Sequence, residues 1–213
     1  MEPSSAAAAL PWRVRTSTDN HDLDQHVRML TAWEQSYDQL SAGSFHGAIS
    51  EAWLGDIQIF EERLSQAVFQ RGAGRAGTLA LGVFANLSGE ARWQGVAAGL
   101  EHVSCLTRQH ALELRTPKES TLLGLSVPLS DDALQEAARA LERLATPLIP
   151  HPALAAQLRH QLGVAMMTLV HQPQHLALEA ARRQLGSELL GLVEQCVQAA
   201  LTSREIVSPA KAR

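Results

Sequence analysis

The chain has few aromatic side chains, two cysteines, no surplus of cations and no long apolar run, and each scarcity excludes something. Aromatics are only 4% of 213 residues, so the 46% hydrophobic fraction is mostly Ala, Leu and Val. Cys105 and Cys196 lie far apart and have no metal-ligand spacing. They exclude a disulfide framework, which points to a reducing compartment. Eighteen Lys and Arg against 22 Asp and Glu leave a net charge of −4. That balance argues against a nucleic-acid-binding domain working by itself, because phosphate neutralisation needs a cation surplus. No segment approaches the roughly 18–20 apolar residues that cross a bilayer. Residues 1–14 carry Glu2 and a short Ala-rich run in place of a basic leader and a long apolar stretch. The expectation is a soluble, cytoplasmic protein with no membrane partner.

What is present is a globular chain with enough length for one large domain or two small ones. Its character changes near Val127-Pro128. Apolar runs before that point are short and broken by glycine; helix formers dominate after it. The expected class is α+β: a cupin-like β-barrel or sandwich in the first half, then an α-helical half with antiparallel helices. Residues 1–20 read as a flexible arm, 21–128 as the β-rich part, 129–202 as the helical part and 203–213 as a linker.

Within the first half, residues 22–40 read as holding a short helix, with Leu23, Val27 and Leu30 on one face. Residues 45–54 and 57–70 flank Gly55-Asp56, a hairpin turn because both types tolerate positive φ. Neither face of the 57–62 segment is cleanly polar, which predicts a sheet covered on both sides. Residues 78–87, 102–107, 111–116 and 121–127 complete six or seven strands, with Pro117 and Pro128 as stops. In the second half Ser130 is the expected N-cap, with Asp131 and Asp132 where the helix dipole favours negative charge. Leu134, Ala137, Leu141 and Leu144 form one apolar stripe; Leu154, Leu158, Leu162, Ala165 and Leu169 form another behind Pro152. The longest periodic segment, residues 174–201, carries Leu178, Leu185, Leu189 and Leu192, which are the expected dimerisation residues of a homodimer.

Most chemical sites fail on spacing. The nine histidines contain no His-x-His pair, and Pro173 separates His171 from His175, so neither a metal nor another cofactor is expected. No serine lies in a Gly-x-Ser-x-Gly elbow, and Cys105 sits in an apolar strand as a small core residue. Glu61 and Glu62 are adjacent on a strand and face opposite ways, so they cannot share a site. The glycines at 72, 74 and 77 precede no helix and make a poor phosphate loop. No catalytic residue is predicted. A concave sheet can still hold one small ligand, and the candidate ligand-binding residues are Trp53, Glu62, Gln66 and Trp93.

The run Trp33-Glu34-Gln35-Ser36-Tyr37-Asp38-Gln39-Leu40-Ser41-Ala42-Gly43-Ser44-Phe45-His46-Gly47 resembles the opening of the amino-terminal sensor domain of AraC/XylS-type transcription regulators, in the branch of ethanolamine-operon-type regulators. Ile59-Phe60-Glu61-Glu62 and the stretch from Gln66 to Gly72 are similar to the next strand of that pattern, and residues 112–117 and 123–128 to its last strands. Such domains carry a Pro-Gly turn where this chain has Arg108-Gln109-His110. The resemblance implies a cupin-like barrel that binds a small-molecule effector, helices that dimerise, and DNA contact only through a helix-turn-helix module absent from these 213 residues. Two rival expectations are a cupin-type metal-dependent enzyme and an interaction protein whose barrel is filled by its own side chains.

Overall fold

The computed structural model describes residues 11–108, 110–144 and 146–207, with side chains to residue 202. Twelve strands and four helices follow one another among these residues. They are β1 (Trp12–Asn20), α1 (Leu23–Val27), β2 (Glu34–Gln39), β3 (Gly47–Leu54), β4 (Ile57–Leu64), β5 (Val68–Ala73) and β6 (Thr78–Asn86). Then come β7 (Ala91–Trp93), β8 (Val96–Ala98), β9 (His102–Leu106), β10 (Leu112–Thr116), β11 (Ser120–Pro128) and α2 (Asp132–Glu142). The last are β12 (Leu148–Pro150), α3 (Pro152–His171) and α4 (Glu179–Val207), with a 3-10 turn, Pro173–Ala177, between the two helices.

The strands form a seven-stranded sheet, ordered β1-β3-β4-β11-β6-β9-β12, and a five-stranded sheet, β2-β5-β10-β7-β8, all pairings antiparallel. The class is α+β. Neither sheet closes on itself, so the β part is an open sandwich. Strand periodicity divides the large sheet cleanly. Ile57, Ile59, Leu79, Leu81, Val83, Val103, Cys105, Leu123 and Leu125 point one way, into a core shared with α3 and α4. Gln58, Phe60, Glu62, Ala80, Phe84 and Leu106 point the other way, toward the small sheet. The double covering expected from the 57–62 segment is therefore present.

The hairpin turns at Gly55-Asp56 as expected, with Gly55 at φ 58°. The strand read across residues 57–70 instead breaks at Ser65-Gln66-Ala67, and its second part joins the other sheet. Part of the expected arm is edge strand β1; the first ten residues lie outside the described ones. The helix in residues 22–40 is only Leu23–Val27, and β2 follows it. The N-cap of α2 is Asp131 rather than Ser130: its carboxylate accepts from Leu134 N at 2.9 Å.

All five residues of the expected α3 stripe are buried, from Leu154 to Leu169. The start of α3 faces the end of α4, and Thr168 shares a groove with Ala181, so the two helices run antiparallel. Two of the expected dimerisation residues, Leu189 and Leu192, need correction. Leu189 and Leu192 are 2% and 1% exposed inside the chain's own core, and Leu185 packs half-buried against it. Leu178 precedes α4 and is 71% exposed. A face that covers the sheet of its own chain has no area left for a second copy. The change at Pro128 is likewise one of secondary structure and not of core, because β12 pairs with β9 at the far edge of the large sheet.

Gly124 sits mid-strand opposite Phe60 on β4 and Gly82 on β6. A Cβ there would lie 2.1 Å from Phe60 Cζ. The missing side chain is what lets the Phe60 ring lie flat over β11. Gly124→Ala is expected to destabilise the fold by about 1–3 kcal/mol through overpacking, read as a loss of urea midpoint, and Phe60→Leu should recover part of it. Equal stability of Gly124→Ala and wild type would refute this packing.

Candidate functional site between the sheets

The inner face of the large sheet carries two buried carboxylates, one from β3 and one from β4. A carboxylate removed from water must be compensated by donors or cations. Glu51 is compensated from the loop before β2. Its Oε1 accepts from Thr31 N at 2.9 Å, Thr31 Oγ1 at 2.7 Å and Gln58 Nε2 at 2.6 Å. Gln58 in turn accepts from Trp33 Nε1 at 2.9 Å.

Glu62 is compensated across the sandwich. Oε1 accepts from Tyr37 Oη on β2 at 2.8 Å and lies 3.0 Å from His26 Nε2 on α1. Oε2 accepts from Gln70 Nε2 on β5 at 2.8 Å. Asn20 Nδ2, at the end of β1, donates to His26 Nδ1 at 3.1 Å, which places the ring proton on Nε2, facing the carboxylate. Ser17 Oγ holds the Asn20 carbonyl at 2.6 Å. The result is a continuous chain of hydrogen bonds from the outer strand to the middle of the sandwich. Glu61, next in sequence, turns outward and pairs with Arg63.

Beside this network lies a cavity with an apolar wall that includes Leu30, Phe60, Leu106, Leu112 and Leu114, and a polar end made by Tyr37, Glu62 and Gln70. Its free space is about 30 Å³, room for one or two water molecules. Among the described residues one donor at this cavity, Trp93 Nε1, is buried without a hydrogen-bond partner, while the Gln35 amide is directed at the Tyr37 phenol. An unmet buried donor is costly, about 1–3 kcal/mol, and marks a place for an acceptor. A recess of about 350 Å³ opens beside the cavity and shares Ala80 and Leu106 with it. Glu34, Arg75, Arg108 and His110 line that recess, and burial lowers the His110 pKa against the opposing pull of Glu142.

Of the four predicted ligand-binding residues, the structure brings two together here, Glu62 and Trp93. Trp53 shares the inner face of β3 but lies under a pair of guanidinium groups, Arg13 at 4.4 Å and Arg75 at 4.9 Å from its ring. Gln66 lies in the β4–β5 connection, where it accepts from Ser41 Oγ at 2.6 Å and donates to Ser44 O at 3.0 Å, pinning a loop. The residues missed are His26, Gln35, Tyr37 and Gln70. A signal for Tyr37 was available: it is the one large apolar residue in a run of polar ones, as on an edge strand with a single inward side chain. Cys105 and Cys196 are core residues, and burial pushes both thiols up, Cys196 to about 12.

Compared with known proteins, the chain matches no protein-family model and no solved structure. No helix among the described residues is long and apolar enough to cross a membrane.

Tyr37 is the chain's only tyrosine, so its ionisation is directly readable. Burial above all, then the charge and hydrogen bond of Glu62, hold its phenol well above the ordinary value near 10, with Gln35 pulling weakly the other way. Because the folded value is the higher one, the native state retains its proton where the unfolded state loses it. The stability Tyr37 contributes is therefore present below about pH 10 and is lost as pH rises further. Absorbance titration at alkaline pH is expected to show phenolate only as the fold melts. A midpoint near 10 in folded protein would contradict the burial.

Proposed function

We propose that this chain is a small-molecule-sensing domain whose ligand enters between the two sheets at the Tyr37–Glu62–Gln70 end. The observation that carries this reading is the unpartnered indole N–H of Trp93 at a cavity whose polar end is made by Tyr37, Glu62 and Gln70. Among the described residues Glu62 Oε2 accepts one bond, from Gln70, and has capacity for another. The complementary ligand carries an acceptor for the Trp93 N–H and a donor or cation for the carboxylate, as a small amino alcohol or amino acid does. With about 30 Å³ free, such a molecule must displace side chains, and Leu106, which stands between recess and cavity, is the natural one to move. A ligand that fits only an opened sandwich shifts the population toward that state by its difference in affinity, which is the property of a sensor.

The motif resemblance to AraC/XylS-type sensor domains supports the same reading and adds its output: a cupin-like fold, a cytoplasmic homodimer, and transcriptional control through a DNA-binding module outside these residues. With Leu189 and Leu192 inside the core, dimerisation falls to exposed apolar residues of the helical layer. Val164 and Met167, three apart on α3, are 52% and 54% exposed, and Val164 lines one groove with the half-buried Leu185. The second reading, a sandwich filled by its own side chains, is favoured by the small free volume.

Thermal-shift screening of small amines, amino alcohols, amino acids and carboxylates separates the two. A dose-dependent rise in Tm that Trp93→Phe weakens by about tenfold, the order expected for one lost hydrogen bond, supports the sensor. A panel without a hit, or a hit indifferent to Trp93→Phe in a variant whose own Tm is intact, supports the filled sandwich. Light scattering on a Val164→Glu, Met167→Glu double variant tests the assembly: a wild-type dimer becoming a folded monomer is expected, and a wild-type monomer at tens of micromolar ends the dimer claim.

A further inference from the structure

We propose that Asp19, His21 and His46 form a zinc-binding site on the outer edge of the sandwich, outside the inner cavity. The three side chains come from the end of β1, the connection to α1 and the residue before β3. Their ligand atoms all lie within 4.8 Å of one another. His21 Nε2 is 3.1 Å from one carboxylate oxygen of Asp19, and His46 Nδ1 is 3.6 Å from the other. Zinc bonds of about 2.0–2.2 Å in a tetrahedron put ligand atoms about 3.3 Å apart. The set closes on an ion by rotation of exposed side chains, including the two imidazoles, which now meet edge to face with centroids 4.6 Å apart.

The backbone holds all three positions. Pairing of β1 with β3 shifts register between Ser17 and Asn20, an irregularity that re-aims Asp19 away from the ladder. Asn20 is fixed on one side of His21 by its bonds to Ser17 and His26. On the other side Asp22 caps α1, accepting from Gln25 N at 2.8 Å. His46 N donates to Ser65 Oγ at 2.8 Å and its carbonyl accepts from Ser65 N at 2.9 Å. Among the described residues, the ion-pair partners of Asp19 are these two histidines, with no Lys or Arg to occupy the carboxylate.

The donor chemistry selects the ion. Two imidazoles and one carboxylate suit zinc, whereas magnesium and calcium prefer all-oxygen sets. Three protein ligands leave a fourth position for water. The Asp-x-His spacing at 19 and 21 was visible in the sequence, but its third member is contributed by a distant strand. The site also differs from the metal centre of a cupin-type enzyme, because it lies outside the sandwich and borders no part of the inner cavity.

Isothermal titration of metal-free protein with zinc chloride, alongside metal analysis after dialysis, tests the site. One zinc per chain is expected, undisturbed by excess magnesium or calcium, and cobalt in its place should give the visible bands of tetrahedral coordination. His46→Ala and Asp19→Asn should each weaken binding by about tenfold or more while leaving the metal-free Tm unchanged, since both side chains are exposed. Absence of stoichiometric zinc, or zinc retained equally by both folded variants, overturns the proposal. Neither result bears on ligand binding at Trp93, so the two readings fail separately.

Discussion

The compensation of one buried carboxylate organises this sandwich. Glu62 belongs to the large sheet, and its donors come from elsewhere: His26 from α1, Tyr37 and Gln70 from the small sheet. Leaving such a charge without partners would be strongly destabilising, so the four groups must be assembled together or not at all. Apolar contacts between the sheets are non-directional and tolerate sliding. The bonds to Glu62 do not, and they fix where β2 and β5 lie over β4. Glu51 does the same locally, tying the loop at Thr31 and the indole of Trp33 to β3 and Gln58.

The same arrangement makes the two faces of the large sheet chemically unlike. On the side facing α3 and α4 the large sheet is apolar and filled, with Leu125, Leu158, Leu162 and Leu192 essentially inaccessible. On the side facing the small sheet polar groups are concentrated, and among the described residues the indole N–H groups of Trp53 and Trp93 and the Ser126 hydroxyl remain unmet. The helical layer is bound to the opposite face of the same strands, one thickness of sheet from Phe60 and Leu106.

Three histidines, His21, His26 and His46, divide into two chemical settings within a short distance. His26 is sealed within the hydrogen-bonded chain that ends at Glu62, while His21 and His46 stand in solvent around Asp19. Asn20 joins the two regions: its side chain belongs to the interior chain, and its backbone pairs with Gly47 beside His46. Edge strand β1 thus does more than extend the sheet, since it contributes to both the interior network and the outer cluster.

Local patterns in the sequence were sufficient for elements whose information is local. The apolar stripe of α3, the Gly55-Asp56 hairpin, the strands ending at Pro117 and Pro128, and the opposite facing of Glu61 and Glu62 all follow from period and backbone stereochemistry. Polar edge strands such as β2, and the three-residue strands β7, β8 and β12, carry no period strong enough to read. The leucine stripe of α4 specified that a face is buried but not against what; packing chose the chain's own sheet. Trp53 and Trp93 looked equivalent as sequence, and only the register of β3 and β7 put one under arginines and the other at the cavity. A single chain order states which residues are polar or apolar, whereas which donors meet a given carboxylate depends on pairings between strands far apart in it. That is why the class was legible and the Glu62 network was not.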